Sequence, residues 1–446
     1  MRVVRVGGGV GAERITEPTP KVAIAAAALV ATPLPLLVGV FPAPVEPVFG
    51  ILALALVVLY LRAPRHRRWI EGGVLALLSL ALSLTVVELV LRPFAVARVQ
   101  AFRTERLPEL PIVERFARNV SLAGPVVGDL ALLTGVAQLQ ERREVVFRSD
   151  AFGFRNDEVP AEVDVLLLGD SFGVGVVSQE HTIRALLASA TRRRVYDLSQ
   201  PRTGPWVQYV NLLVEAPRLT FARDAHVVWL LYTGNDLLEP NDAVWRREEL
   251  PWRGTIGSWW TRFEDFRARA ALRAMATRVW LRFRPMIWRS SRAAAIVGRM
   301  VPGGVPVVVL REAEDMAKLP LPYVTLHPNW PPLRRTLSEA AGFLRARGVR
   351  LTVVVLPTKG EVYRWLLEGR QPGAADAEPS GFATAVLTAC TELRIACEDA
   401  KPRLVREAQA RYGTSGEFVF WRDDSHLNRV GNQVVVDLVT AVLDRR

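Results

Sequence analysis

The pattern of apolar and polar positions divides the chain into two parts that predict different surroundings. Residues 1–100 are dominated by Ala, Val and Leu, whereas the remainder mixes apolar and polar positions as water-soluble domains do. A helix needs about 20 apolar residues to cross a bilayer core. Three nearly uncharged runs, the second shorter than the others, predict three transmembrane helices over residues 22–91: Val22–Phe41, Val48–Leu61 and Gly72–Leu91, the last with Glu88 as its charge.

Basic residues predict the orientation of these helices. Four arginines lie between the second and third runs, at residues 62–68, whereas residues 42–47 contain no Lys or Arg. Because Lys and Arg concentrate in cytoplasmic loops, we expect this link and the N-terminal residues 1–21 in the cytoplasm. Three membrane crossings then place the remainder of the chain outside the cytoplasm. If the second run did not insert, two crossings would leave that remainder in the cytoplasm. A cleaved signal peptide over the first run is an alternative that leaves the C-terminal domain outside.

From Val163 onwards, short apolar runs alternate with longer stretches of helical periodicity. This alternation predicts an α/β fold, in which helices cover both faces of a parallel sheet. Such sheets carry their chemistry at the carboxyl ends of the strands, near the point where the strand order reverses. The predicted strands are Val163–Leu168, Val195–Leu198, Val227–Leu231, Leu351–Leu356 and Leu393–Ala396.

Two stretches do not follow the alternation. Residues 92–150 predict a connecting region that leads from the membrane to a domain over residues 151–446, and they contain no recognisable chemistry. Residues 240–330 predict an Arg-rich insertion in that domain. Its tryptophans could either fill the core of a helical subdomain or form a basic aromatic surface for anionic lipid or an acidic glycan: Trp245, Trp252, Trp259, Trp260, Trp280 and Trp288.

Charge and cysteine content narrow the functional classes. The formal net charge of +12 comes almost wholly from Arg, and no run of five or six basic residues accompanies it, so nucleic-acid binding is not expected. The chain has two cysteines, Cys390 and Cys397, for which a disulfide and two buried thiols both remain open. No clustered His or Cys lies near them, so neither a metal site nor a cofactor is predicted.

Three chemically useful features lie where predicted strands end or near the C-terminus. Ser171 follows the first strand within Gly169–Gly173, and Asn235 follows the third. Asp423 lies three residues before His426, so a helical turn would let the carboxylate hold the imidazole. Taken singly, these residues could be a helix cap, a turn Asn and a surface His. At one edge of a sheet, they instead indicate a serine nucleophile with a histidine base.

The motifs Gly-Asp-Ser, Gly-x-Asn-Asp and Asp-x-x-His occur in this order over about residues 163–442, and together they resemble the SGNH (GDSL) hydrolase family. Residues 150–156 are similar to the lead-in of membrane-linked members. The resemblance implies a flavodoxin-like parallel sheet and an ester-cleaving site. In that site Ser171 attacks the acyl carbonyl, His426 takes its proton and Asp423 holds the imidazole.

The resemblance also implies an oxyanion hole, formed by the backbone N–H of Ser171 and the side chain of Asn235. In the family, a glycine after the second strand supplies a further donor. Arg202 stands at the matching position here, and Gly204 follows two residues later. Either backbone N–H could serve, or the hole could be incomplete.

Residues 357–363 resemble the Pro-x-Lys-x-x-x-Tyr segment of SGNH-like proteins that acetylate exported polysaccharides, such as the alginate O-acetylation proteins. The resemblance implies that Lys359 and Tyr363 bind an acidic sugar or an acyl donor. The alternative is a solvated Lys and a Tyr packed beneath a helix.

The combined expectation is a multi-pass membrane protein whose extracytoplasmic domain is a serine esterase or O-acyltransferase. Its substrates would be acyl esters of an envelope or exported polysaccharide, and its partners an acylated glycan or other ester, membrane lipid and polysaccharide-export proteins. The triad does not separate hydrolysis from transfer, because water or a sugar hydroxyl can meet the same acyl-enzyme. The rival hypothesis, suggested by Arg202, is a catalytically weak, membrane-tethered glycan-binding or assembly protein with the same fold.

Overall fold

The fold is described from a computed structural model, which covers residues 34–40, 51, 55, 67–99, 104–107, 110–134, 139–141, 143–238, 271–272, 275, 295–300 and 306–445. The chain forms two compact units. The first comprises Met1–Phe94 and Phe266–Thr277, and the second comprises Ala95–Asp265 and Arg278–Arg446.

The first unit contains helices α1 (Leu34–Leu37) and α2 (Arg67–Val99). Within the described residues, α2 is the one helix that is long and apolar enough to cross a membrane, over Leu75–Arg92, where the mean hydropathy is 2.0. This window overlaps the third predicted span. The prediction of three transmembrane helices is not supported, because the described residues contain this one candidate helix. Most of the first two predicted runs lies outside the described residues.

Glu88, the charge in the predicted third span, is fully buried within the first unit. Its carboxylate accepts hydrogen bonds from the backbone N–H of Ala271 (2.9 Å) and Leu272 (2.8 Å), and from Nε of Arg92 (2.9 Å). A buried carboxylate needs such partners to offset its lost hydration. Part of the insertion predicted for the soluble domain therefore packs in the first unit.

The strands of the second unit are, in chain order, β1 (Thr104–Leu107), β2 (Leu110–Phe116), β3 (Ser121–Val126), β4 (Arg143–Arg148), β5 (Val163–Leu168), β6 (Val195–Asp197), β7 (Phe221–Tyr232), β8 (Ala295–Met300), β9 (Pro306–Leu310), β10 (Arg350–Leu356) and β11 (Ala396–Asp399). Its helices are α3 (Asp129–Thr134), α4 (Ser171–Val174), α5 (Ile183–Thr191), α6 (Pro205–Glu215), α7 (Arg311–Ala317), α8 (Leu321–Leu326), α9 (Trp330–Arg345), α10 (Lys359–Val362), α11 (Arg364–Glu368), α12 (Gly381–Leu393), α13 (Lys401–Ser415) and α14 (Arg429–Leu443).

Five strands form a parallel sheet in the order β11-β10-β7-β5-β6. This is the flavodoxin-like order, so the predicted α/β class and parallel sheet are confirmed. Four of the predicted strands lie where expected. The fifth is displaced: α12 continues through Leu393, and Arg394, with φ of +55°, turns the chain so that β11 begins at Ala396.

The sheet is buried on both faces, which explains why its strands are almost continuously apolar. In β5, Leu166 and Leu168 pack with α6, α9 and α12, whereas Val165 and Leu167 pack with α5, α13 and α14. The strand order reverses between β5 and β7, so the residues that follow these strands meet at the position where such sheets bind ligands.

The predicted connecting region belongs to the second unit and contributes two antiparallel hairpins, β1–β2 and β3–β4. A third hairpin, β8–β9, is part of the predicted insertion and packs against α3 through Val308 and Leu130. The six insertion tryptophans named above lie outside the described residues.

Cys390 in α12 and Cys397 in β11 form a disulfide, with Cα atoms 6.1 Å apart. Of the two possibilities left open by the sequence, the structure therefore contains the disulfide. The bond joins a helix to an edge strand of the sheet.

We expect reduction of this disulfide, or its paired replacement Cys390→Ser/Cys397→Ser, to lower the thermal midpoint of the second unit. Closing so short a loop restrains the unfolded chain by about 2–3 kcal/mol, which corresponds to roughly 3–4 °C in a unit of this size. Differential scanning fluorimetry with and without reductant measures this shift. An unchanged midpoint, together with two titratable thiols in the untreated protein, would show that the bond does not form.

Candidate active site

Ser171 begins the short helix α4, immediately beyond the carboxyl end of β5. Asp170 caps this helix, because its carboxylate accepts a hydrogen bond from the backbone N–H of Phe172 (2.8 Å). A Cβ atom at Gly173 would lie 2.1 Å from Oγ of Ser199. Glycine at this position therefore lets the helix lie directly against the loop that follows β6.

Arg155 fixes the other end of α4. Its buried guanidinium donates to the carbonyls of Val174 (2.8 Å), Gly175 (2.7 Å) and Val177 (2.6 Å). Five rigid donors make Arg suited to hold several carbonyls at once. The segment 150–156, noted in the sequence as a lead-in, thus anchors the helix that carries Ser171.

His426 lies in a tight turn between α13 and α14. Phe420 and Leu427 form an isolated antiparallel bridge, and the N–H of Trp421 donates to the carbonyl of His426 (3.2 Å). Asn428 closes the turn: its side chain caps α14 through the N–H of Val430 (2.9 Å) and donates to the carbonyl of Phe418 (2.6 Å). The backbone that carries the imidazole is consequently fixed on both sides of His426.

The structure brings Ser171 and His426 together, although they are far apart in the sequence. Nε2 of His426 lies 2.8 Å from Oγ of Ser171, and its Nδ1 lies 2.6 Å from Oδ1 of Asp424. The imidazole also packs on the ring of Phe172, with centroids 4.7 Å apart, and Phe172 stacks on Tyr232. This is the geometry of a nucleophile, a base and an acid that orients the base.

The expected pairing of Asp423 with His426 needs correction, because Asp424 occupies that position. The prediction assumed a helical turn, whereas residues 423–426 form a non-helical turn in which Oδ1 of Asp424 also accepts from the N–H of His426 (2.9 Å). The Asp423 carboxylate instead accepts from Nη1 of Arg143 (2.6 Å) and the N–H of Gly128 (3.0 Å). Adjacent side chains in this turn thus point to different partners.

The electrostatics of the site favour a charged His426–Asp424 pair. Burial opposes the charge on His426, but the charge and hydrogen bond of Asp424, with contributions from Asp129 and Asp170, raise the pKa of His426 to about 9. Burial also opposes the charge on Asp424, but His426 and, more weakly, Arg143 lower the pKa of Asp424 to about 2. The neutral imidazole that general-base catalysis needs therefore forms at alkaline pH.

The predicted oxyanion-hole residues lie in the segments that follow the carboxyl ends of β5, β6 and β7. Asn235 is in the turn after β7, and its side chain hydrogen-bonds to Asp170. Arg202 adopts φ of +61°, the left-handed region that glycine enters most readily. Gly204 has an ordinary φ of −80° and precedes α6 as its N-cap. This difference favours Arg202 as the match to the family glycine, and the identity of the donors stays a prediction.

Lys359 and Tyr363 have structural contacts in place of the predicted substrate-binding role. Both are buried. Nζ of Lys359 donates to the carbonyls of Trp421 (2.8 Å), Arg422 (2.9 Å) and Asp424 (3.3 Å), and burial lowers the pKa of Lys359 to about 8. The hydroxyl of Tyr363 accepts from the N–H of Val419 (2.7 Å). Both residues therefore hold the turn that carries Asp424 and His426.

Sequence reasoning missed a contribution from the predicted connecting region. Asp129 accepts from the N–H (2.8 Å) and Oγ (2.5 Å) of Ser425, and ligand atoms of Asp129, Asp424 and His426 lie within 4.8 Å of one another. Both imidazole nitrogens already have partners in Ser171 and Asp424, so this cluster fits a hydrogen-bonded triad better than a metal centre. In the sequence, the two adjacent residues Asp423 and Asp424 were the signal that either carboxylate could hold His426.

Comparison with known families agrees with this geometry. Residues 326–446 match the family described as the SGNH hydrolase-like domain of the acetyltransferase AlgX. The chain therefore contains a domain of the SGNH hydrolase-like class, and within that class its C-terminal part is of the AlgX type. The matched residues include Asp424 and His426, whereas Ser171 precedes them. No curated protein matches the chain.

We predict that Lys359→Met destabilises the second unit by about 2–4 kcal/mol, because three buried carbonyls lose a charged donor. Lys318→Met removes the same charge from an exposed position and serves as the control. Chemical denaturation followed by tryptophan fluorescence measures the difference between the two variants. Equal stability of Lys359→Met and Lys318→Met would contradict the structural role of Lys359 and would again make it a candidate for substrate binding.

Proposed function

We propose that the protein is a membrane-anchored serine esterase or O-acyltransferase that acts through an acyl-Ser171 intermediate. The observation that carries this proposal is the 2.8 Å contact between Oγ of Ser171 and Nε2 of His426, with Asp424 on the opposite ring nitrogen. The AlgX-type match of residues 326–446 supports the same class. A helix-capping Ser and a surface His would not need to contact each other, whereas a catalytic triad needs this arrangement of three polar residues.

The proposed reaction has two halves. Neutral His426 accepts the Ser171 hydroxyl proton at Nε2 while Oγ bonds to the acyl carbonyl carbon. The tetrahedral intermediate then collapses, its ester C–O bond breaks, and the departing alkoxide takes the proton back from His426. Water or a sugar hydroxyl next gives its proton to His426 and bonds to the acyl carbon. The bond between Oγ of Ser171 and the acyl carbon then breaks, and Oγ takes the proton back from His426. Asp424 keeps Nδ1 protonated throughout and stabilises the imidazolium.

Transfer to a polysaccharide is the favoured form of this reaction. The matched family is described as the SGNH hydrolase-like domain of an acetyltransferase, which supports transfer of an acetyl or similar small acyl group. The earlier hint from Lys359 and Tyr363 no longer contributes, because their side chains are buried and bonded within the fold. Hydrolysis would follow wherever water reaches the acyl-enzyme before a sugar does.

The proposed location is the extracytoplasmic face of a membrane, with an envelope or exported polysaccharide as acceptor. The apolar window of α2 is compatible with an anchor or a signal sequence. The distribution of basic residues around the apolar runs favours the extracytoplasmic side for the second unit. Membrane lipid and polysaccharide-export proteins remain the proposed partners.

We predict that a fluorophosphonate probe labels the full-length protein in detergent at Ser171. Ser171→Ala should abolish labelling, and Asp424→Asn should slow it by roughly 10⁴-fold, the loss that follows replacement of the triad carboxylate in a serine protease. Asp423→Asn is the matched control and should retain much more activity, because Asp423 does not hold the imidazole. Equal losses in the two Asn variants would contradict the assignment of Asp424.

The pH dependence of labelling gives a second prediction. The rate should rise with pH to a half-maximum near 9, well above the ordinary value for histidine of about 6.5, because the raised pKa of His426 delays formation of the neutral base. In Asp424→Asn the half-maximum should move to lower pH, since the charge that stabilises imidazolium is lost. Labelling of Ser171→Ala at each pH gives the background. A wild-type half-maximum at or below 6.5 would contradict this account.

A glycan-binding or assembly role is the second candidate, and Arg202 is the observation that favours it. Arg202 is exposed at the sheet edge that carries Ser171, where the related family has a glycine. A folded protein that binds acidic oligosaccharides but is unlabelled by the probe, with or without the Arg202→Gly substitution, would support this role. Labelling of the wild-type serine would exclude it as the sole function.

A further inference from the structure

Arg143 joins the candidate active site to a segment that precedes the family-matched domain. The residue begins β4, and its side chain is 6% exposed. Nη1 lies 2.6 Å from Oδ1 of Asp423, and Nη2 lies 3.3 Å from Oδ2 of Asp424. The guanidinium also stacks on Trp421, 4.2 Å from the ring centroid. One planar cation thus holds the two adjacent carboxylates at fixed positions.

Backbone groups of the same segment reinforce this contact. The N–H groups of Gly128 (3.0 Å) and Glu141 (3.1 Å) donate to Oδ2 of Asp423, and the N–H of Asp129 donates to Oδ2 of Asp424 (3.1 Å). A Cβ atom at Gly128 would lie 1.9 Å from the carbonyl oxygen of Asp423. The absence of a side chain at Gly128 therefore permits the close approach that all these bonds need.

The two oxygens of Asp424 have separate tasks. Oδ1 accepts from the backbone N–H of His426 and contacts its Nδ1, whereas Oδ2 contacts Arg143 and the N–H of Asp129. A carboxylate bound on both sides cannot rotate without breaking contacts on one of them. Arg143 and the backbone N–H of Asp129 consequently fix the plane in which Asp424 meets the imidazole.

Arg143 also balances charge around His426. Four carboxylates lie near the imidazole or its turn. Asp423 and Asp424 belong to the turn itself, Asp129 comes from α3, and Asp170 precedes α4. The opposing cations are Arg143 from β4 and Lys359 from α10. Removal of Arg143 would leave the negative charges less compensated and stabilise the imidazolium form.

We propose that Arg143, which precedes the family-matched residues in the sequence, is a positioning residue of the candidate active site: it orients Asp424 and limits the basicity of His426. As an account of catalysis, the proposal rests on the proposed acyl-serine mechanism. The effect of Arg143 on the titration of His426 can be measured without any reaction. The proposal predicts two separable effects, one on geometry and one on charge.

The test compares Arg143→Gln, Arg143→Lys and the control Arg148→Gln in the full-length protein. Arg148 lies on the same strand, is 52% exposed and pairs with Asp157, so its replacement removes the same charge from β4 away from His426. The first readout is the titration of His426 by NMR of isotope-labelled histidine, assigned with His426→Ala. The second readout is the pH profile of probe labelling.

We expect Arg143→Gln to move the His426 titration and the labelling profile to higher pH by about one unit, because it removes a like charge that disfavours the imidazolium. The maximal labelling rate should fall roughly 10–100-fold, as for outer groups that orient metal ligands. Arg143→Lys should keep the wild-type titration, because the charge remains, but lose rate, because one ammonium cannot span two carboxylates. Arg148→Gln should match wild type in both readouts.

A general loss of stability would lower the labelling rate but leave the His426 titration in place, so a titration in Arg143→Gln that matches Arg148→Gln overturns the proposal. If Arg143→Gln does not fold, Arg143→Lys decides: a wild-type maximal rate in that variant overturns the positioning role. A wild-type protein that is never labelled contradicts the proposed function alone, because the NMR titration still reports whether Arg143 acts on His426.

Discussion

The hydrogen-bonded chain from Asp424 through His426 to Ser171 is the constraint on which the site depends, since it joins residues 255 positions apart in the sequence. The parallel sheet makes this contact possible by placing Ser171 directly beyond β5, at the reversal of strand order. Asp170, Gly173 and Arg155 then fix the helix that carries the hydroxyl. On the other side, the imidazole can reach it only because the turn between α13 and α14 is held from several directions.

That turn is stabilised by buried polar groups, in addition to Phe420 and Leu427, which pack in the hydrophobic core. Lys359 donates to three of its carbonyls, Asn428 caps the helix that follows it, and Arg143 pairs with its two carboxylates. In a low-dielectric environment such a network is strong when every member is paired and costly when one is lost. The geometry of the base is therefore coupled to segments far from it in sequence.

Much of this arrangement was accessible from the sequence, for reasons that differ between elements. Apolar runs such as β5 and β7 identified a doubly covered parallel sheet, and Ser171 and His426 followed from their places at its edge. The choice of Asp423 over Asp424 failed because it assumed a helical turn, and spacing alone does not reveal a non-helical turn. Lys359 and Arg143 could not be assigned, because their partners are backbone carbonyls or distant carboxylates that leave no local pattern.

The proposed function requires that Ser171 becomes acylated, and mass spectrometry can detect the acyl group on the protein itself. The purified protein would be incubated with an activated acetyl ester, quenched in acid and digested, with Ser171→Ala treated in parallel. We expect one acetyl group on the peptide that contains Ser171 and none on the corresponding peptide of the variant. The acetyl group should leave the wild-type protein when an acceptor is added or the incubation is prolonged. A folded wild type whose Ser171 peptide never gains the acetyl group, or a variant acetylated equally at other residues, would contradict the proposed function.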